Sequence, residues 1–112
     1  MTGGRFRGLA LALREAVESS HMGHPDFRVR KKIFATLSGD ERTGHVKCDP
    51  TNLDLLVQRD PETFRDAWNG RWLGIDLARV EEPEVQELLE DAWRLVAPKS
   101  LRTARDAGAS AG

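Results

Sequence analysis

Apolar residues recur along this chain with two different periods. Phe6, Leu9, Ala10 and Leu13 fall at i, i+3, i+4 and i+7, which predicts a short amphipathic helix over 5–13 after a loose 1–4. Residues 16–22 read as extended, and Gly23 and Pro25 then break regular structure in a loop. From Phe27 the period drops to two. Phe27-Arg28-Val29-Arg30 alternates apolar and basic; in 32–37, Ile33, Ala35 and Leu37 share one strand face, and Lys32, Phe34 and Thr36 share the other. These two runs predict a hairpin turning at Arg30-Lys31, without the Asn-Gly or Asp-Gly that such turns favour. A polar loop over 38–44 leads to a short strand over 45–48.

Asp49-Pro50 is an N-cap followed by proline at the first helical position, so a helix follows to about residue 58, with Leu53, Leu56 and Val57 inward. Asp60-Pro61 repeats the signal for a helical turn over 61–65. Asn69-Gly70 is the best two-residue turn in the chain and predicts a hairpin between 64–68 and 72–79. Pro83 opens a last helix whose Val85, Leu88, Leu89, Ala92 and Val96 form a stripe at 3.6 spacing; Pro98 stops it. The order predicts an α+β fold in two layers, a mainly antiparallel sheet with three helices. It forms one domain over 1–101, followed by a disordered tail over 102–112.

A chain of 112 residues can bury one modest core without a metal or disulfide. With 31% charged and 39% hydrophobic residues it has an ordinary globular composition. The net charge of −1 gives no global attraction to nucleic acid or an anionic membrane, so any basic surface must be local. The single cysteine, Cys48, excludes an intrachain disulfide and suits a reducing cytoplasm. The apolar run at 9–13 is too short for a secretory leader, and nothing approaches a membrane span.

The stretches His21-Met-Gly-His-Pro-Asp-Phe-Arg-Val29, Lys32-Ile-Phe-Ala-Thr-Leu37, Val46-Lys47 before a helix, and Ala92-Trp-Arg-Leu-Val-Ala-Pro-Lys99 together resemble the MmcQ/YjbR-like family over about residues 5 to 101. The resemblance implies a compact α+β domain similar to the secretion-chaperone-like fold, and a DNA-binding role by analogy to a double-wing arrangement of sheet edges and helices. The chain departs from the family pattern in two places: Lys31 stands where a turn glycine is common, and the Trp68–Trp72 segment is short.

The residues themselves offer no catalytic signature, phosphate loop or cofactor motif. The chemistry that remains is binding. Arg28, Arg30, Lys31, Lys32 and Lys47 form the densest basic group, suited to neutralising phosphates of DNA in a salt-dependent way. The competing reading is a solvated strand face that guards a sheet edge. Trp68 and Trp72 flank the Asn69-Gly70 turn; if exposed they anchor a partner protein or stack on bases, and if not they pack across the hairpin. His21, His24, His45 and Asp26 are metal-ligand types, but a His-x-x-His outside a helix without a second pair predicts a structural loop rather than a metal site. His45 and Cys48 differ in strand parity, so their side chains diverge and Cys48 is a buried, inert thiol. The expectation is a non-enzymatic, cofactor-free binding domain for DNA, or else a protein- or peptide-interaction module using the open sheet face.

Overall fold

The computed structural model describes residues 1–111, with side chains through 108. Its frame is a six-stranded antiparallel sheet in the order β1-β2-β3-β4-β6-β5. The strands are β1 (Val17–His21), β2 (His24–Val29), β3 (Lys32–Leu37), β4 (Thr43–Lys47), β5 (Phe64–Trp68) and β6 (Trp72–Asp76). Helices α1 (Gly3–Leu11), α2 (Pro50–Arg59), α3 (Glu82–Val96) and α4 (Lys99–Ala111) complete it.

Local chemistry sets the element ends. Helix α1 begins earlier than its apolar stripe because the Thr2 hydroxyl accepts from the Arg5 N–H at 3.1 Å. In α2 the Asp49 carboxylate accepts from the Asn52 N–H at 3.0 Å, with Pro50 in the first turn. Helix α3 carries Glu82 and Glu84 in its first turn and Arg94 in its last, matching the helix dipole. Ala97, held extended before Pro98, ends it.

The turns are tighter than the sequence suggests. The predicted loop after His21 is a two-residue hairpin turn, with Met22 at φ 52° and Gly23 at φ 81° closing the pair His21–His24. Arg30 at φ 50° and Lys31 at φ 71° close β2–β3 in the same mirror-image turn geometry, although neither is a residue that favours it. The helical turn expected over 61–65 is instead a short turn that leads into β5 at Phe64.

One face of the sheet is sealed. Phe27, Val29, Phe34, Ala35, Leu37, Val46, Leu73 and Ile75 are all fully buried. They lie under α1 and α3, which pack on β3 and β4, while α2 packs on β5. Gly44 is needed here: a Cβ would meet the Phe6 ring at 2.6 Å, and that ring meets Phe27 edge-on with centroids 6.1 Å apart. The Trp93 indole donates to the Arg14 carbonyl at 3.0 Å, so the buried ring leaves no polar atom unpaired.

Two expectations are corrected. Strict alternation puts Ile33 with Ala35 and Leu37, but a bulge shifts the β2–β3 register between Phe27 and Arg28. Phe27 faces Ala35 while Arg28 faces Ile33, so Phe34 turns inward and Ile33 moves to the opposite face. The three predicted helices become four, because 102–111 continues α4 instead of forming a tail. Its hold is visible: Leu101 is buried, Arg105 pairs with Glu90 and lies over the Trp93 ring, and Asp106 accepts from Arg94 at 2.6 Å. Those partners lie on α3, so nothing local in the polar, alanine-rich segment announces them. Gly112 lies outside the described residues.

Candidate binding face

Among the described residues, no helix covers the second face of the sheet. Register places its side chains in rows across the strands. One row runs Ser19–Asp26–Thr36–His45–Gly74–Arg65 from β1 to β5. A second brings Lys47 beside Trp72, and Trp72 beside Trp68. A concavity of about 390 Å³ lies here, mostly apolar, lined by His21, Ile33, Thr36, His45, Ala67, Trp68 and Trp72. Its lining includes β1 at one sheet edge and β5 at the other, so the sheet curls around it. Trp72 is half-buried in its wall, and Trp68 is 68% exposed. An indole left in water in a domain that buries all four of its phenylalanines and Trp93 is a large apolar group without a fold-level use.

The basic candidates divide. Arg28 forks onto Asp26, with bonds of 2.8 and 3.0 Å, and Asp26 is fully buried. This pair keeps a carboxylate in the sheet from being an unmatched buried charge. Arg30 forks onto Glu15 at 2.7 and 3.1 Å. Each guanidinium is held charged by its carboxylate hydrogen bond, and the Glu15 carboxyl is held below its usual range by Arg30. Among the described residues, Lys31, Lys32 and Lys47 have no carboxylate within salt-bridge distance. The five cations do not form one row. The bulge puts Arg28 opposite Ile33 on the open face and Lys32 opposite the inward Val29, while Lys31 stands at the hairpin tip. Only Lys47 joins the tryptophans.

At the centre of the face sits His45, its Nδ1 3.1 Å from the Thr36 hydroxyl. Burial depresses its pKa first, and the positive Arg65 and nearby His24 depress it further, so the ring is neutral at pH 7. The three histidines do not assemble a metal site: among the described residues no cluster of metal-ligating side chains is present. Cys48 is buried on the sealed side, and burial, aided by Asp49 and Asp91, pushes its thiol up to about 11. It is a protonated, unreactive thiol at neutral pH, and it diverges from His45 as strand parity requires.

Sequence reasoning missed Arg65, Gly74, Ile33 and Ala67. The signal for the first two was present: Gly74 is an isolated glycine in an apolar strand, a mark of close approach. A Cβ there would meet Arg65 Cγ and Nε at 2.9 Å, so the arginine stem lies flat across β6 toward His45.

The YjbR family model matches residues 11–95, which contain all six strands and most of α3. The chain belongs to the YjbR family. Solved structures share the fold of this YjbR domain at low identity. The Deinococcus radiodurans protein DR2400, a DUF419 domain, is 20% identical with a TM-score of 0.77, over 92% of this chain and 86% of its own. A Pseudomonas syringae protein is 16% identical with a TM-score of 0.69, over 87% of this chain and 100% of its own. No curated protein matches. No helix among the described residues is long and apolar enough to cross a membrane.

Proposed function

We propose that this YjbR domain is a non-enzymatic binding module whose ligand, an extended segment of another protein, lies on the open sheet face. The observation that carries this reading is Trp68, 68% exposed at the lip of an apolar concavity that no helix among the described residues covers. Tryptophan is among the residues most enriched as anchors of protein recognition, and here an exposed one borders an apolar concavity. A displayed random octapeptide library panned on the full chain, with the Trp68→Ala chain as counter-selection, tests it. Enrichment that depends on Trp68 is the expected result; enrichment equal on both chains would refute the reading.

A second reading, duplex DNA, draws support from Lys31, Lys32 and Lys47, which lack carboxylate partners. Against it stand the pairing of Arg28 with Asp26 and of Arg30 with Glu15, and the acidic surface of α3 on the far side. Anisotropy with random duplex DNA at two salt concentrations separates the two. DNA binding requires a steep salt dependence that shrinks in Lys32→Ala and Lys47→Ala. The peptide reading predicts no such dependence.

A further inference from the structure

We propose that the open face reads an acidic residue of its peptide ligand, gripping that carboxylate between Arg65 and His45 while an adjacent apolar residue enters the trough beside Trp68 and Trp72. This rests on the peptide reading above and adds the chemistry of the partner.

Three observations carry it. First, Arg65 is an exposed guanidinium with no carboxylate partner among the described residues; Arg14, Arg42, Arg71 and Arg102 also lack one, but Arg65 lies in the row across the open face, where Arg28 is paired with Asp26. Second, its placement is built. The absence of a side chain at Gly74 is what allows the arginine stem to cross β6 and bring its charge beside His45. Third, the charges around this spot are one-sided. The groups around the His45 ring are the Thr36 hydroxyl from β3, His24 from β2, His21 from β1 in the same concavity, and Arg65 from β5. The one carboxylate in the row, Asp26, is already doubly bonded to Arg28. Lys47 adds a further cation beside Trp72. An arginine fork matches a carboxylate bidentately, and an apolar trough next to it selects a ligand with both features in register. A neutral His45 at pH 7 can gain a proton once an anion lies against it, so binding an acid and protonating this ring favour each other.

The test follows the panning with titrations of one selected peptide and its twin, in which Asp or Glu is replaced by Asn or Gln, by tryptophan fluorescence at pH 7.5 and 5.5. The enriched sequences are expected to pair an apolar residue with an acidic one. The acidic peptide should bind about tenfold tighter than its amide twin, a difference that vanishes on Arg65→Gln. Its advantage should grow at pH 5.5 and should not grow on His45→Gln. Circular dichroism of both variants establishes that they fold, as expected for changes on an exposed face. Trp68-dependent enrichment without acidic residues, or equal affinity of the twins, would overturn the acidic reading and leave the peptide reading standing. Absence of Trp68-dependent enrichment would overturn both. Salt-dependent quenching of Trp68 by an oligothymidine single strand, lost on Arg65→Gln and competing with the peptide, would reassign the anion to phosphate and overturn the peptide partner.

Discussion

The two faces of one sheet obey different rules. On the helix-covered face every apolar side chain named above is fully buried, the ring of Phe6 is admitted only because Gly44 lacks a Cβ, and the indole of Trp93 has its hydrogen bond. On the open face a tryptophan stands in water, a histidine is held neutral, and an arginine lies unpaired over a glycine. The same strands supply both faces, so neither β propensity nor strand count separates them. What separates them is whether each polar group is satisfied and each apolar group covered. The covered face meets that condition and makes the fold; the open face leaves groups free, and those are available to a ligand.

The largest effect should come from trading a residue between these regimes. Phe27→Ala opens a cavity in the sealed layer and is expected to cost about 3–5 kcal/mol in urea unfolding. Trp68→Ala should cost under about 0.5 kcal/mol although it removes a larger side chain. A similar cost for both would erase the distinction. Next is Arg28→Ala, which leaves the Asp26 carboxylate buried without its partner. A loss smaller than that of Phe27→Ala is expected, with partial recovery when Asp26→Asn is added, because the charge is then gone too. This variant sharpens the comparison, since it would show that one open-face cation serves the fold instead of a ligand.

Smaller, and opposite in sign, is Lys31→Gly. Lys31 sits at φ 71° in a turn that suits glycine, so relief of that backbone strain should outweigh glycine's greater freedom when unfolded and add about 0.5 kcal/mol. The smallest effect is a pH slope. The folded-state pKa of His45 is lowered, chiefly by burial, so the unfolded chain takes up its proton first as pH falls. Stability contributed by the neutral ring is full above about pH 6.5 and declines below it until the folded-state pKa is reached. His45→Gln should flatten that part of a stability-against-pH curve.

Most of the sealed face was legible in the sequence because it depends on short-range signals. Asp49-Pro50, Asn69-Gly70 and the Val85–Val96 stripe each announce an element through residues within one or two turns. The open face was legible only in part. Trp68 and Trp72 were found because they flank a recognisable turn, and their pairing across the hairpin follows from it. The basic row was misjudged in its geometry: whether Arg28, Arg30 and Lys32 share a face depends on a bulge that local sequence does not mark, and whether they are free depends on Asp26 and Glu15. Helix α4 was missed for the same reason, since Glu90, Trp93 and Arg94 hold it from α3.

The chain's three tryptophans report on both faces at once, and their indole N–H resonances give the most direct test of the account. On titrating a panned peptide into the full chain, the resonances of Trp68 and Trp72 should shift progressively. That of Trp93, sealed in the core and bonded to the Arg14 carbonyl, should stay fixed. Movement of Trp93 with Trp68 and Trp72 unchanged would place the ligand elsewhere and contradict the assignment of binding to the open face.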